Sequence, residues 1–220
     1  MDPHHQQPSE PAPKQFQFVG GDLSVDFCNT VGGKREGIPR ENLHNYADFL
    51  NWCEQAGLVQ KPERELLQSR ALKEVDLAAS VFSRAIALRE ALYRIFYALG
   101  NGSEPAAADI GILNSELSKT LGRLRLKQNV DSRQFEWMWS KAELELDSPL
   151  GPVAHSAANL LIDESARGKL HQCGGDNCGW LFLDCSKNHS RRWCDMRDCG
   201  NRAKVRRHRR KVAAQGTKGA

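Results

Sequence analysis

The 220-residue sequence predicts an α+β fold that is mainly α, with a helical N-terminal domain containing two short β-hairpins and a small C-terminal module ending in a basic helix. Apolar residues recur every three or four positions through most of the first 168 residues, which is the period of a buried helical face. Two stretches instead alternate apolar residues around turn formers, as hairpin strands do. Beyond residue 168, closely spaced cysteines largely replace the apolar residues.

The first predicted element is a hairpin over residues 16–27, where apolar residues alternate around two adjacent glycines. A loop rich in glycine and charged residues follows from Gly32 to Arg40. Asn42 is then expected to cap the first helix, because its side chain can accept a hydrogen bond from an unpaired backbone N–H. This helix has apolar residues at helical spacing and is expected to end before Gly57.

The rest of the domain is predicted to contain five more elements. Pro62 begins a helix, and the long periodic run from Val75 to Leu99 predicts the central helix of the domain. A further helix covers Ala106 to about Leu121. Residues 124–139 predict the second hairpin, because leucines and then aromatic residues alternate on either side of a polar turn. The last helix begins at Pro152 and continues to about Arg167.

Four cysteines near the C-terminus form two C-x4-C pairs that fifteen residues separate. They are Cys173, Cys178, Cys194 and Cys199. Zinc binds four soft ligands in a tetrahedron, and closely spaced pairs bring such ligands together at a small entropic cost. Residues 170–210 also contain few large apolar side chains, so a metal is expected to replace a hydrophobic core there. The spacing therefore predicts one structural Zn2+ ion.

Two disulfides are the alternative for the same four cysteines. Residues 1–14 are polar and rich in proline, unlike a secretory signal, so we expect no oxidising compartment in which disulfides would form. Cys185, His171 and His189 lie close enough in the sequence to compete as zinc ligands, but none of them has a partner at the C-x4-C spacing. The four paired cysteines are therefore the expected ligand set.

The charge is unevenly distributed along the chain. The whole chain has a net charge of +4, but residues 191–220 alone carry +9, which leaves −5 on residues 1–190. A strongly basic segment favours binding to a polyanion, whereas an acidic domain is repelled by it. The basic end is therefore expected to bind nucleic acid and to keep the N-terminal domain clear of it.

Arginine suits this role because its planar guanidinium can hold a phosphate or a guanine edge through two hydrogen bonds. On a helix that begins near Gly200, Arg202, Arg206, Arg209 and Arg210 share one face. The residues predicted to contact nucleic acid are Lys187, Asn188, Ser190, Arg191, Arg192, Arg202, Lys204, Arg206, Arg207, Arg209 and Arg210. The alternative for the arginines at 192 and 202 is to offset the charge of the zinc thiolates. DNA is favoured over RNA because few aromatic residues lie beside the basic run.

The N-terminal domain contains no recognisable catalytic motif, so an enzyme is not expected. Four polar residues follow or end the first predicted hairpin: Asp26, Asn29, Thr30 and Arg35. They are candidates for a small polar pocket that binds a ligand. The alternative is that they act as turn and capping residues, which Asx and Thr side chains often do at the end of a strand.

Two motifs resemble known families. The C-terminal string CGGDNCGWLFLDCSKNHSRRWCDMRDCGNRAKVRRHRR closely resembles the CGNR zinc finger, through WLFLD, SKNHSRRWC and the CGNR tetrapeptide itself. The string GGDLSVDFCNTVGGKREG, followed by Trp52 and Gly57-Leu58, resembles the start of the ABATE domain that accompanies this finger in bacterial stress-induced transcription regulators. The resemblance implies a treble-clef finger that binds zinc through Cys173, Cys178, Cys194 and Cys199.

The predicted organisation is a disordered leader (1–14), an ABATE-like sensor domain (15–168), a CGNR zinc finger (169–212) and a disordered tail (213–220). Because the sensor domain has its own apolar helices, we expect it to fold independently of the finger.

The leading hypothesis is a bacterial transcription regulator, cytoplasmic and associated with the nucleoid. Its finger binds DNA, and its N-terminal domain senses a small-molecule effector or forms a homodimer. No run approaches the roughly 18 apolar residues of a membrane span, so no membrane partner is expected. A protein–protein interaction module is the first alternative, since a basic helix can also dock on an acidic protein. An enzyme with an accessory finger is the second.

Overall fold

The computed structural model describes residues 14–140 and 144–216 of the chain. The helices are α1 (Leu23–Cys28), α2 (Tyr46–Gln55), α3 (Lys61–Lys73), α4 (Val75–Gly100), α5 (Ala107–Thr120), α6 (Leu150–Ile162), α7 (Glu164–Arg167) and α8 (Asn201–Gly216). The strands are β1 (Leu124–Gln128), β2 (Phe135–Trp139), β3 (Leu170–Gln172) and β4 (Leu181–Leu183). Strands β1 and β2 form one antiparallel hairpin, and β3 and β4 form another. The predicted class, α+β and mainly α, is confirmed.

The first predicted hairpin, over residues 16–27, is wrong, because its second half is helix α1. Asp22 caps α1 by accepting a hydrogen bond from the backbone N–H of Ser24 at 2.8 Å. The apolar alternation is misleading because the polar residues Ser24 and Asp26 are buried along with their apolar neighbours Val25 and Phe27. Asp26 is satisfied by the backbone N–H of Gly20 at 2.7 Å, so a short helix can be buried on nearly every side.

Helix α2 is confirmed, but its predicted cap is wrong. Asn45, rather than Asn42, accepts a hydrogen bond from the backbone N–H of Asp48 at 2.9 Å. The Asn42 side chain instead accepts a hydrogen bond from the Lys14 ammonium group. The chain leaves α2 through Gly57, whose φ of +74° is a left-handed conformation that glycine adopts without strain.

Most of the remaining elements lie where the sequence predicts them. Pro62 lies in the first turn of α3, and α4, α5 and the β1–β2 hairpin are confirmed. The last predicted helix begins earlier, at Leu150, and is interrupted at Asp163, which caps the short helix α7 through the backbone N–H of Ala166 at 3.1 Å. Helix α8 extends to Gly216, into the predicted tail, whereas residues 1–13 of the predicted leader and 217–220 of the tail lie outside the described residues.

The core lies around α4, which packs against α1, α2, α3, α5, α6 and both strands of the C-terminal hairpin. Aromatic rings fill its centre, with the ring centroids of Phe27 and Trp52 4.9 Å apart. Leu170, Leu181 and Leu183 from β3 and β4 belong to this same buried cluster. The hydrophobic core therefore crosses the predicted boundary near residue 168, so part of the packing of the N-terminal domain comes from the zinc module.

The β1–β2 hairpin projects an apolar face into solvent. Leu126 lies opposite Trp137 and Gln128 opposite Phe135, and the Trp137 and Phe135 side chains are 61 % and 65 % exposed. Trp139, at the base, packs so closely on Gly151 that a Cβ there would lie 2.5 Å from the indole ring. One end of the hairpin is thus held by α6, while the other exposes aromatic surface.

Arg84 joins α4 to α5 through a buried ion pair. Its guanidinium lies 2.6 Å from Glu116, which is only 4 % exposed, and 3.2 Å from Asp147. Burial alone would raise the pKa of Glu116. The hydrogen bonds that Glu116 accepts, mainly from Arg84, hold that pKa below its usual value. The arginine therefore compensates for a carboxylate that is otherwise buried.

We expect Arg84→Met to destabilise the protein by about 3 kcal/mol, because Glu116 then remains buried without its main partner. Urea unfolding followed by circular dichroism measures the change. Arg125→Met is the matched control, because Arg125 is exposed on the hairpin and its guanidinium donates, among the described residues, to the carbonyls of Gly122 and Leu124. Equal stability of the two variants would contradict the conclusion that Arg84 compensates for the buried Glu116 carboxylate.

Candidate metal centre and nucleic-acid interface

The four paired cysteines come from three short segments that meet beside the β3–β4 hairpin. Cys173 follows β3, and its backbone N–H donates to the carbonyl of Trp180 at 2.8 Å. Cys178 lies in the turn between the strands, where Gly175 leaves room for the sulfurs, since a Cβ there would be 3.3 Å from Cys199 Sγ. Cys194 follows a long loop, and Cys199 lies in a π-helical turn, Met196–Gly200, that leads into α8.

The sulfur atoms have the geometry of a zinc site. All four lie within 4.8 Å of one another, and the Sγ of Cys194 is 3.7 Å from those of both Cys178 and Cys199. A tetrahedron with Zn–S bonds of about 2.3 Å has edges of about 3.8 Å. The four cysteines are buried, whereas Cys185 is exposed and lies outside the cluster. They form a site for one structural zinc ion, and Cys185 does not replace any of them.

Hydrogen bonds around the cluster favour a thiolate at Cys173. Cys173 accepts from the backbone N–H of Cys194 at 3.3 Å, and bonds from the neighbouring Cys178 and Cys194 thiols lower the pKa of Cys173 well below that of a free thiol. Arg202 donates to Cys199 Sγ at 3.1 Å and to Asp198 at 3.0 Å. Arg202 therefore contacts a zinc ligand directly, as its alternative role of offsetting the charge of the zinc thiolates requires. Arg192 instead lies near the Trp193 ring.

Strand β4 is bonded on its other side to the N-terminal domain. The Asn29 amide both donates to the carbonyl of Leu181 and accepts from its N–H, each at 2.9 Å, as a neighbouring strand would. The N–H of Leu183 donates to the carbonyl of Gly20 at 2.7 Å, and two more bonds join residues 31–33 to residues 179–180. We call this set of contacts the seam. It connects the zinc module to the domain through backbone groups as well as through the shared core.

A buried aspartate organises the loop before Cys194. Asp184 accepts hydrogen bonds from the hydroxyl and N–H of Ser186 and from the N–H of Arg191, and these bonds lower the pKa of Asp184. The Arg191 guanidinium turns inward over the Phe182 ring and donates to the carbonyls of Val19, Leu183, Trp193 and Cys194. This corrects the prediction that Arg191 holds a phosphate, because its donors already bind carbonyl oxygens.

The other predicted nucleic-acid residues lie at the surface. Those with exposed side chains are Lys187, Asn188, Ser190, Arg192, Arg202, Lys204, Arg207, Arg209 and Arg210. Arg206 is half-buried and forms an ion pair with Asp176. Three residues of the predicted shared face, Arg202, Arg206 and Arg209, line one groove of about 440 Å³, whereas Arg210 is not among the residues that line it. Arg197 lines the same groove and was missed by the sequence analysis, although its position between two zinc ligands was a usable signal.

The four predicted pocket residues do not all meet. Asp26, Asn29 and Thr30 line a cavity of about 330 Å³ together with Trp52 and Trp180. Arg35 is not among the residues that line it. Its guanidinium donates to the carbonyl of Cys28 at 2.8 Å and to Glu90 at 3.3 Å, and lies over the Tyr93 ring.

The polar groups in the cavity wall differ in how many hydrogen bonds they already make within the protein. Both amide atoms of Asn29 bind Leu181, and the Thr30 hydroxyl bonds to Phe27 and Arg89, so these two residues also have structural roles. Burial raises the pKa of Asp26 to about 6. Arg40, Asn42 and residues 14–17, which the sequence analysis did not include, complete the lining.

Comparison with family models matches both parts of the chain. The ABATE model, described as "Putative stress-induced transcription regulator", matches residues 21–164, and the CGNR zinc finger model matches residues 169–212. No curated protein matches the chain.

We expect the purified protein to contain one zinc per chain, and Cys194→Ser to lose it, because three thiolates hold zinc more weakly than four. Since β3 and β4 share the core, this loss should also lower the melting temperature of the helical signal by about 5–10 °C. Metal analysis and thermal circular dichroism measure both effects. Cys185→Ser is the control and should change neither; loss of zinc from that variant instead would contradict the ligand set.

Asp26→Asn should change how stability depends on pH. An acid whose pKa is raised on folding, here from 3.8 to about 6, contributes stability at low pH that is lost as the pH rises through 6. The variant lacks this loss, so its unfolding free energy should gain about 2–3 kcal/mol relative to the wild type between pH 4 and pH 7. Urea unfolding at several pH values tests this, and a constant difference between the two proteins would contradict it.

Proposed function

Because the chain belongs to the ABATE family of stress-induced transcription regulators and ends in a CGNR zinc finger, we propose that it is a bacterial regulator that binds DNA through that finger. The observation that carries the proposal is helix α8. It begins at a zinc ligand, and the cationic side chains described along it are exposed, apart from the half-buried Arg206. A polyanion is the partner that such a helix fits best.

The surroundings of α8 explain why it needs such a partner. It packs mainly against the turn from which it starts. A helix of 16 residues that is polar on nearly all sides gains little from packing, and its like charges repel one another. Binding along a phosphate backbone offsets that repulsion. The zinc site and the contact of Arg202 with Cys199 fix the direction in which the helix leaves the domain.

DNA is the proposed partner rather than an acidic protein or RNA. Arginine is the most frequent of the described side chains of α8, and Val205 and Val212 are its exposed large apolar residues. The helix therefore offers little of the apolar anchor that protein interfaces use. The two tryptophans of the zinc module, Trp180 and Trp193, are half-buried against the cysteine cluster. An acidic protein partner remains the alternative.

We also propose that the protein is not an enzyme. Buried charged groups in the N-terminal domain are held in pairs, such as Arg89 with Glu41 and Arg84 with Glu116. In catalytic sites, by contrast, acids and bases commonly face a cavity with perturbed pKa values. Asp26 is the described acid that most resembles this, and a role in ligand binding accounts for it equally well.

The salt dependence of DNA binding tests the proposal on the full chain. If about six cationic side chains reach phosphates, the slope of log K against log salt should be about −5. Arg209→Gln should reduce the slope by about one unit, whereas Lys127→Gln on the β1–β2 hairpin should leave it unchanged. Fluorescence anisotropy with a mixed-sequence duplex measures both. If the wild type does not bind duplex DNA at 50 mM salt, the protein is instead an interaction module.

Effector sensing is a second proposed role, favoured by the cavity at the seam. Its wall combines the two tryptophans, Trp52 and Trp180, with Asp26, and Asn29 in the same wall is bonded to β4. A ligand there would therefore contact both the domain and the zinc module. Tryptophan fluorescence on addition of a library of small metabolites tests this, and the absence of any saturable change would remove the sensing role.

Two further expectations stay proposals. The exposed aromatic face of the β1–β2 hairpin is the surface that we propose for a homodimer, and sedimentation of the wild type against Trp137→Ser tests it. A regulator that binds DNA works where the chromosome lies, so the proposed location is the bacterial nucleoid.

None of the described helices combines the length and the apolar character that a membrane crossing requires.

A further inference from the structure

The loop of residues 32–40 belongs to the N-terminal domain but touches the zinc module. Gly32 and Arg40 close the loop through two backbone hydrogen bonds of 2.8 and 2.7 Å. The carbonyl of Gly33 accepts from the N–H of Gly179, in the knuckle that holds Cys178, at 3.1 Å. A Cβ at Gly179 would lie 2.6 Å from that carbonyl oxygen, so the two backbones are in direct contact.

Arginines also hold the loop from inside. Arg35 turns inward to Glu90 and the Tyr93 ring, as described above. Arg89, only 2 % exposed, donates to both carboxylate oxygens of Glu41, the residue that follows the loop, at 2.8 and 2.7 Å. The loop therefore has a fixed position relative to the zinc site.

The remaining cations of the loop face outward. Lys34 and Arg40 are exposed, and together with Arg202 they line a groove of about 510 Å³. Glu36 is the one carboxylate of the lining, so the groove has an excess of positive charge. Within residues 14–140 and 144–216, neither Lys34 nor Arg40 forms an ion pair.

Arg202 connects this groove to α8. It lines the groove beside the loop and also the groove along α8 that Arg206 and Arg209 line. The cationic surface thus continues from the finger helix across the zinc site to the N-terminal domain. A duplex presents phosphates at regular short intervals, and a continuous row of cations at fixed positions can neutralise several of them at once.

We propose that the 32–40 loop is part of the DNA-binding surface, with Lys34 and Arg40 holding backbone phosphates next to the segment that α8 contacts. This inference rests on the proposed function, since it names additional contacts for the same partner. The N-terminal domain then takes part in DNA binding despite its net negative charge, and residues 169–220 alone form only part of the surface.

The experiment measures DNA binding by the full chain with Lys34→Gln and Arg40→Gln. Each variant should reduce the salt slope by about one unit, and the double variant by about two, because each lost contact removes one neutralised phosphate. Lys127→Gln is the matched control and should retain the wild-type slope. Zinc content and melting temperature, measured on every variant, should stay at wild-type values, since both side chains are exposed.

Two results would overturn the inference in distinguishable ways. If Arg209→Gln lowers the slope while both loop variants keep it, the loop does not contact DNA and the proposed function stands. If the wild type fails to bind at 50 mM salt, the proposed function fails and the inference with it.

Discussion

The paired hydrogen bonds between Asn29 and Leu181 are the contact on which the zinc module depends. Strand β4 has only three residues and one strand partner, β3, and a two-stranded hairpin of this size is marginal in water. The Asn29 amide supplies the pairing that a further strand would give, and it does so from the end of α1, in which every residue except Leu23 is buried. The leucines of β4 can then join the core. Zinc has to order only the turn between β3 and β4 and the turn that leads to α8.

Different physical interactions fix the position of successive parts of the zinc module, starting at the seam. Hydrophobic packing and backbone pairing position β3 and β4, zinc coordination positions Cys194 and Cys199, and charge-assisted bonds position the first turn of α8. Arg191 supports the middle step, because it bridges the loop before Cys194 to the carbonyl of Val19 in the N-terminal domain. The basic helix is thus the last element in this order, and it packs mainly against the turn from which it starts.

The sequence predicts the parts of this structure that one local pattern governs. Helices α2 to α5 follow from helical periodicity, and the ligand set follows from cysteine spacing. The first hairpin failed because polar residues of α1 are buried and satisfied by the backbone, which an apolar pattern cannot show. Arg191 and Arg35 failed for a related reason. Spacing identifies an arginine, but whether its guanidinium faces solvent or carbonyl oxygens depends on partners far away in the chain.

The acidic residues around α8 also fit a surface on which DNA phosphates can replace carboxylates as the partners of the arginines. Arg202 pairs with Asp198, and Arg206 with Asp176, and all four side chains are at least one-third exposed. Exposed ion pairs contribute only about 0–1 kcal/mol each, so a phosphate can replace the carboxylate at little cost. In the absence of DNA, these pairs reduce the repulsion among the arginines at the start of α8. The two aspartates therefore limit the free charge of the surface without blocking it, and the net charge of −5 on residues 1–190 further disfavours contacts elsewhere on the protein.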